Sequence, residues 1–287
     1  SKINLLRETS YSDFLRQHVN VPEEVVQLYR DMARGLWGIG WDALSALDAY
    51  KSEMPGTRHL NLKIADESYE RDEPYIFHFP DGNATIARML VKKMIPNVGI
   101  GDNAKEIVTS KFDYAELDKS SNIVRIRLNS TVVNVRHGGD PKDSSEVFVN
   151  YINDKKSYQV KGKSVVMACY NMMIPHIVSD LPEEQASALR LQSKSPLQYS
   201  SVSLKNWRAM KEMEIGMAMS PGNMHQAIFM DFPVSMGGYE YTKTPDDPCI
   251  IQMISCPYGE TVGAPRIEQY REARYRMLGL QFSDYEE

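Results

Sequence analysis

The amino-acid sequence predicts a fold of mixed class, α+β or mixed α/β, with both helices and sheets along the chain. Three observations lead to this prediction. Apolar residues recur at helical spacing in several segments, apolar and polar residues alternate between residues 121 and 160, and residues 164–168 form an apolar run without alternation. A length of 287 residues fits one large domain or two closely associated lobes.

The first elements are predicted to be helices. Pro22 followed by Glu23 and Glu24 is typical of a first helical turn, because proline has a suitable fixed geometry and carboxylates favour the positive end of a helix. A second helix is predicted over residues 42–50. Residues 53–75, which include a charge-dense stretch, are predicted to form a loop.

A tight turn at residues 79–83, with the sequence FPDGN, precedes the next predicted helix, which ends before Pro96. Four apolar residues recur along this helix at helical spacing: Ile86, Met89, Leu90 and Met94. Gly82 and Asn83 therefore lie where backbone N–H groups at a helix N-terminus point outward. Such a turn either attracts an electron-rich ligand group or only connects two elements.

An antiparallel meander of four strands is predicted next. Val124, Ile126 and Leu128 alternate with arginines, which is the period of a half-buried strand. The other three strands are predicted over residues 131–136, 146–152 and 157–160, with turn residues between them.

Residues 164–168 are predicted to form a strand buried on both faces in a parallel sheet, because their apolar run lacks alternation. The strand ends at Ala168, Cys169 and Tyr170. Ligands in open α/β sheets bind beyond the carboxyl ends of such strands, so this turn is either a ligand site or a plain strand-to-helix corner.

The remaining residues predict further helices and strands. Helices are expected from Pro182 through Leu191 and from Pro265 onward, and strands over residues 197–204, 226–230 and 249–255. The inner side of the last helix is predicted to carry Ile267, Tyr270, Arg274, Met277 and Leu278.

Composition excludes several classes of protein. The net charge of −5 comes from mixed signs spread along the chain, so nucleic acid is not an expected partner. Three cysteines without CxxC spacing predict neither a disulfide framework nor a metal site. No apolar run reaches the roughly 20 residues that span a bilayer. The GxSxG, HExxH, P-loop and complete GxGxxG motifs are absent, and His78 is interpreted as a packed turn residue.

Four segments together resemble the flavin-containing amine oxidases, and most closely the bacterial spermidine dehydrogenase-like branch. They are FPDGNATIARML at 79–90, RLNSTVVNV at 127–135, VVMACYNMMIP at 165–175 and PLQYSSVSLKNW at 196–207. The resemblance implies the substrate domain of an FAD-linked amine oxidase, together with the meander and one buried strand of the FAD-binding domain. The implied ranges are 1–96 for the helical part of the substrate domain, 97–170 for the partial FAD-binding domain and 171–287 for the rest of the substrate domain.

The resemblance also implies how FAD would be held. Val132 matches the valine whose backbone meets the FAD adenine, while Ala168, Cys169 and Tyr170 would lie near the cofactor. Gly82 and Asn83 would lie toward the flavin ring or the substrate cavity, where a glycine permits close approach. No catalytic residue and no metal ligand follow from the resemblance.

Two departures from the family pattern affect the predicted function. The family's N-terminal GxGxxG fingerprint is expected before residue 1 and its last flavin-covering segment after Glu287, so this chain alone is expected to bind FAD weakly or not at all. The strand over 198–204 also lacks the lysine of many amine oxidases, and Lys205 is predicted to be exposed, which favours a dehydrogenase over an oxidase.

The predicted function is part of an FAD-dependent oxidoreductase that oxidises C–N bonds of a small-molecule amine, including polyamines, by hydride transfer to the flavin. Two alternatives remain open: an FAD-dependent oxidase or desaturase acting on another class of substrate, and a truncated, non-catalytic binding module. The sequence indicates neither the oligomeric state, nor the electron acceptor, nor the cellular compartment.

Overall fold

The computed structural model describes residues 2–62, 78–231 and 234–286. These residues form two compact units. The first unit contains the described residues of 1–77, 194–234 and 240–287, and the second contains residues 78–193 and 235–239. The division of the chain into ranges 1–96, 97–170 and 171–287 stays a prediction.

The helices are short, and most begin at a residue that suits a helix start. Ser10 and Ser45 each accept a hydrogen bond from the backbone N–H three residues later, as N-cap residues do. The α-helices are α1 (Lys2–Glu8), α2 (Tyr11–Phe14), α3 (Glu23–Leu28), α4 (Arg34–Trp37), α5 (Ala46–Lys51), α6 (Ala84–Met94), α7 (Ala104–Ile107), α8 (Ile174–Ile177), α9 (Glu183–Arg190), α10 (Arg208–Glu212), α11 (Arg266–Gly279) and α12 (Ser283–Glu286). A π-helical turn spans Leu15–Val19, and 3₁₀ turns span Arg58–Leu60, Pro96–Val98, Tyr114–Glu116 and Asn171–Met173.

The strands form two antiparallel sheets, one in each unit. Within the described ranges the strands are β1 (Thr131–His137), β2 (Val147–Asn153), β3 (Lys156–Gly162), β4 (Gln198–Leu204), β5 (Met217–Met219), β6 (Ala227–Asp231) and β7 (Cys249–Ser255). The second unit holds the sheet of order β1-β2-β3, and the first unit holds the sheet of order β4-β7-β6-β5. The predicted mixture of helices and sheets is confirmed, and the pairing within both sheets is antiparallel.

The main hydrophobic core lies in the first unit and is built from its N-terminal helices. Tyr11, Leu44 and Ile39 are fully buried there. Polar atoms within this core have partners, because the Tyr11 hydroxyl donates to the Pro55 carbonyl over 2.8 Å and Trp41 Nε1 donates to the Val26 carbonyl over 2.6 Å.

A buried ion pair joins these helices to the C-terminal part of the same unit. Arg34 donates to Asp31 over 2.8 Å and to the backbone carbonyl of Cys256 over 3.0 Å. Asp31 also accepts the backbone N–H of Gly222 over 2.8 Å, and the guanidinium of Arg34 lies 4.2 Å from the ring centroid of Tyr258. This network connects segments about 220 residues apart in the sequence.

The second unit corrects two predicted strands. Residues 123–128 form no strand, so the predicted four-strand meander has three strands. Residues 164–168 also lack strand pairing with any described residue, and the side chain of Val166 is 88% exposed instead of buried. A strand requires a hydrogen-bonded neighbour, and alternation or apolarity of the sequence does not supply one.

Two predicted helical stripes are also corrected. Helix α6 has the predicted position, but Ile86, Leu90 and Met94 on its apolar side are exposed, whereas Thr85 is buried. Helix α11 buries Gln269 and Ala273 most completely. Of the predicted stripe, Tyr270 packs against the main core as predicted, whereas Leu278 is exposed. The Gln269 amide is stabilised in this position because it donates to the carboxylate of Asp42 over 3.0 Å and to the Ala264 carbonyl over 3.1 Å.

Most other predictions of secondary structure hold closely, but the helix predicted over 42–50 spans Ala46–Lys51. Helix α9 and strands β4, β6 and β7 lie within one or two residues of their predicted bounds, and α11 begins directly after Pro265. Most of the loop predicted over 53–75, including its charge-dense stretch, lies outside the described residues. Among the helices of the described ranges, none is long and apolar enough to cross a membrane.

Candidate functional site

The predicted adenine-contacting residue lies on an edge strand of the second unit. Strand β1 pairs with β2 on one side, and residues 177–180 cover its other edge from Asn134 to His137, whereas no described strand pairs with that edge at Val132. The register shifts between Val132 and Asn134, which marks a bulge at Val133. Val132 is 37% exposed and lies directly opposite Tyr151. The side chains of these two residues therefore share one face of the sheet.

A cavity of about 550 Å³ opens on the same unit at the start of β1. It is bounded by the 3₁₀ turn at 114–116, by the segment leading into β1 and by the tip of the β2–β3 hairpin. The lining residues are Tyr114, Leu117, Asp118, Ile126, Arg127, Leu128, Asn129, Ser130, Tyr151, Asn153 and Tyr158. Residues with aromatic rings and residues with polar side chains thus line the cavity.

Aromatic and cationic groups form a stack along one wall of the cavity. The rings of Tyr151 and Tyr158 lie 5.4 Å apart at an interplanar angle of 16°, and the guanidinium of Arg127 lies 5.8 Å from the Tyr151 ring centroid. Tyr158 is 43% exposed. A further planar group can extend such a stack, since aromatic rings and guanidinium groups interact favourably with π-faces.

The charge of Arg127 is balanced by a carboxylate that it shares with Arg125. Asp118 accepts a hydrogen bond of 2.6 Å from Arg125 Nε and one of 3.1 Å from Arg127 Nε. Desolvation opposes ionisation of Asp118, but the hydrogen bonds from the two guanidinium groups outweigh it and lower the pKa of this carboxyl. The carboxylate therefore stays ionised and holds Arg127 at the cavity rim.

The predicted turn Ala168–Tyr170 leads into a segment that docks on the outer edge of β1. Val178 forms a parallel bridge with Val135, and the side chain of Asn134 donates to the Ile177 carbonyl over 3.5 Å. Farther along β1, the backbone N–H of His137 donates to Asp180 over 2.9 Å, and its ring Nδ1 lies 2.6 Å from the same carboxylate oxygen.

Within the turn itself, Ala168 and Cys169 are exposed, and the Tyr170 carbonyl accepts the N–H of Met173 over 2.8 Å. The structure thus places this turn just before the helix that lies along the strand of Val132. Tyr170 serves as the N-cap of the 3₁₀ turn that follows.

Gly82 and Asn83 lie at a third place in the second unit, at the start of α6. Gly82 has a φ of +63°, and a Cβ at this position would meet nothing within 4 Å, so the turn is open on that side. The neighbouring Asp81 carboxylate accepts from Thr85 and from Arg88, the latter over 3.1 Å. A carboxylate already occupies this helix end, which makes the turn a poor site for a second anion.

Sequence reasoning missed the side chains that form the cavity. Tyr151 and Tyr158 belong to predicted strands, but their position opposite each other depends on the register of the hairpin. Strand β4, as observed over Gln198–Leu204, contains no lysine, and Lys205 directly after it is exposed as predicted. No group of metal-ligating side chains occurs among the described residues.

No protein-family model and no curated protein matches the sequence. Three solved structures of putrescine oxidase show a likeness to the chain: a double mutant with 12% identity and a TM-score of 0.45, the wild type bound to putrescine with 11% and 0.44, and a triple mutant with 13% and 0.44. Each alignment covers 98% of this chain and 48% of the other, so the chain spans about half the length of these structures. A likeness at this level fixes neither the fold nor the activity of the chain.

Proposed function

We propose that the chain is part of a flavin-dependent oxidoreductase that oxidises a C–N bond of an amine. The proposal starts from four sequence segments that resemble flavin-containing amine oxidases in order and spacing, between residues 79 and 207. The finer assignment to the spermidine dehydrogenase-like branch rests on the same segments.

The observation that carries the proposal is the position of Val132. An adenine ring presents a hydrogen-bond donor and an acceptor along one edge, and a strand edge without a neighbouring strand can supply complementary backbone groups. No described strand pairs with the outer edge of β1 at Val132, while residues 177–180 cover that edge from Asn134 to His137. The exposed Val132 also shares its sheet face with Tyr151, which lines the cavity and its stacked rings. These features fit the adenine end of FAD. The sequence contains no complete GxGxxG turn, so the phosphates would have to be held by residues outside this chain.

Two apolar side chains on either side of the meander are accessible in this chain. Ile123 is fully exposed and Val166 is 88% exposed, and neither lies in a paired strand. We propose that further residues of an FAD-binding domain cover them, because burial of apolar side chains is favourable.

The flavin supplies the hydride acceptor when FAD is bound, and the protein binds, orients and desolvates the amine. The residues of this chain that would position the cofactor are Val132, the turn Ala168–Tyr170, Gly82 and Asn83. Because β4 lacks a lysine, a dehydrogenase that passes electrons to an acceptor other than oxygen is the preferred form of the proposal.

Flavin reduction by amines in the full-length protein tests the activity. The purified protein is expected to show flavin absorbance that bleaches on anaerobic addition of polyamines. Absence of bleaching with every primary and secondary amine tested would contradict the proposal. Colourless protein that also fails to take up added FAD would instead support the non-catalytic binding module, which the exposed apolar side chains of α6 favour.

A matched pair of variants tests the adenine site. Tyr151→Ala removes the cavity-lining ring directly opposite Val132 and is expected to weaken FAD binding roughly tenfold, since an aromatic contact with one base contributes about 1–3 kcal/mol. Tyr275→Ala, which alters a tyrosine that is 76% exposed in the first unit, serves as the control and is expected to leave FAD affinity unchanged. Equal FAD affinity in the two variants would exclude the cavity as the adenine site.

A further inference from the structure

Strand β3 lies at the outer edge of the three-stranded sheet in the second unit. Its partner β2 lies on one side, and no strand of the described residues pairs with its other side. Every residue from Lys156 to Lys161 is exposed, so this side is accessible. An accessible strand edge presents backbone donors and acceptors that can pair with another strand. We call this side of the strand the β3 edge.

The turn before β3 determines which backbone groups lie on the β3 edge. Asp154 and Lys155 have φ values of 47° and 61°, and Asn153 pairs directly with Lys156 across this two-residue turn. The pair that flanks such a turn exchanges both of its backbone hydrogen bonds, and hydrogen-bonded pairs then recur at every second position. The residues whose N–H and C=O groups point away from β2 are therefore Ser157, Gln159 and Lys161.

A row of side-chain amides crosses the sheet and ends at the β3 edge. Asn150 Nδ2 donates to Asn134 Oδ1 over 3.2 Å, and Gln159 Nε2 donates to Asn150 Oδ1 over 2.8 Å. Gln159 Oε1 accepts no hydrogen bond from any described residue. An amide that is added beside Gln159 can therefore continue the row, because a carboxamide both donates and accepts hydrogen bonds.

The sequence of β3 is complementary to itself in an antiparallel arrangement. Gln159 is the central residue of the strand Lys156–Gly162, so a two-fold axis there sets Gln159 opposite Gln159 of a second copy. Both residues direct their backbone groups outward and can exchange two hydrogen bonds. The same register sets Tyr158 opposite Val160 on one face. These side chains are 43% and 38% exposed, so the pairing buries apolar area in both copies.

The charges along β3 are compatible with this register. Lys161 comes opposite Ser157 of the second copy, and its ammonium group already binds Glu146 Oε1 over 2.7 Å. Lys156 comes opposite Gly162. The two lysines within the strand therefore face small or polar residues, and the repulsion that directly opposed like charges would cause is avoided.

We infer that the chain forms a two-fold symmetric dimer through the β3 edge, in which two three-stranded sheets join into one antiparallel sheet. A second copy is the partner because hydrogen-bonding groups, the row of amides and the apolar side chains all match under the same two-fold axis. The interface of two seven-residue strands is small, so the dimer is expected to be weak and dependent on concentration. The inference does not depend on the proposed function.

Cysteine cross-linking tests the register of the dimer. In a Cys169→Ser background, which removes the exposed thiol, Gln159→Cys should form a disulfide-linked dimer on mild oxidation, because directly paired Cα atoms lie about 5.5 Å apart. Lys156→Cys is the matched control from the same strand. Its two copies would lie six strand positions apart, about 20 Å, which no disulfide can bridge. Equal cross-linking of the two variants would overturn the inference.

Light scattering over a series of protein concentrations tests association of the unmodified chain, whose mean mass is expected to rise toward that of a dimer. Gln159→Lys sets two ammonium groups opposite each other and is expected to weaken association roughly fivefold. Gln192→Lys adds the same charge at another exposed position of the second unit and should associate like the unmodified chain. Lys155 of one copy approaches Lys163 of the other beyond the strand ends, so added salt should strengthen association.

Hydrogen exchange at low and high protein concentration identifies the strand edge that pairs. The backbone amides of Ser157, Gln159 and Lys161 should exchange more slowly at high concentration, whereas those of Tyr158 and Val160 bind β2 and should be protected at both concentrations. A chain that stays monomeric at every concentration would overturn the inference and leave the β3 edge to a strand of another protein. A dimer that Gln159→Lys leaves unchanged would also overturn it, because its interface would lie elsewhere.

Discussion

Replacing Arg34 with methionine is expected to destabilise the first unit by about 3 kcal/mol. The side chains of Arg34 and Asp31 are only 10% and 11% exposed, and removal of one partner of a buried ion pair costs about 3–5 kcal/mol because the other charge is left uncompensated. The lower end of this range applies because Asp31 keeps its hydrogen bond from the Gly222 backbone. Burial lowers the pKa of the Arg34 guanidinium, and its pair with Asp31 opposes that shift.

Urea unfolding, monitored by tryptophan fluorescence, measures the loss of stability in the first unit, which contains Arg34. The tryptophans of the chain all lie in the first unit: Trp37, Trp41 and Trp207. Arg208→Met is the matched control, because Arg208 and Asp246 are 64% and 67% exposed and such pairs contribute about 1 kcal/mol or less. The double variant Arg34→Met with Asp31→Asn should recover part of the loss, since it removes the uncompensated charge.

The predicted contribution of the buried ion pair is refuted if Arg34→Met lowers the free energy of unfolding no more than Arg208→Met does. It is also refuted if the effects of Arg34→Met and Asp31→Asn are additive in the double variant, because additivity would show that the two side chains do not interact.

Three further predictions follow from single residues of the structure. A hydrogen bond from the backbone N–H of His137 lowers the pKa of Asp180, so this contact stabilises the fold above about pH 4 and is lost as the pH falls through the lowered pKa. Hydrogen exchange should therefore show less protection of the His137 amide in acid. At pH 6 the Asp180→Asn variant should already show this reduced protection. Gly237→Ala should lower the free energy of unfolding by more than about 2 kcal/mol, because the φ of Gly237 is +62° and a Cβ would lie 2.0 Å from a backbone oxygen. Gly238→Ala should lower it by only about 1–2 kcal/mol, because at its φ of +86° a Cβ meets nothing within 4 Å. Thermal unfolding measures both variants, and equal losses of stability would refute the close contact at Gly237. A thiol reagent should modify Cys169 rapidly in the native chain and the two buried cysteines only on unfolding, and rapid modification of all three would contradict their burial.

Local sequence patterns predicted the elements that need only their own residues. The Pro265 start of α11 and the Pro182 start of α9 are encoded by residues within one turn of the helix end. Strand β7, over Cys249–Ser255, was recognisable because a short apolar run between turn residues has few other stable conformations.

The candidate site was predictable only in part. Val132 lies on a strand, as predicted, and its exposed edge position agrees with a backbone contact to a ligand, although that contact stays a prediction. Tyr151 and Tyr158 stack because the β2–β3 register sets them opposite each other, and a shift of one residue would place them on opposite faces. The role of the turn at Ala168 also remains a prediction.

By itself, the sequence determined the mixed fold class, the positions of helices α6, α9 and α11 and of most strands, and the glycine turn at Gly82, because backbone geometry and local periodicity act over a few residues. Only the tertiary structure decided which segments find partners. It paired Arg34 with Asp31 and the distant Cys256 carbonyl, left residues 164–168 without a neighbouring strand, and joined Gln252 to Asp231 on one sheet face. These outcomes depend on contacts between residues far apart in the chain, whose energies no local pattern records.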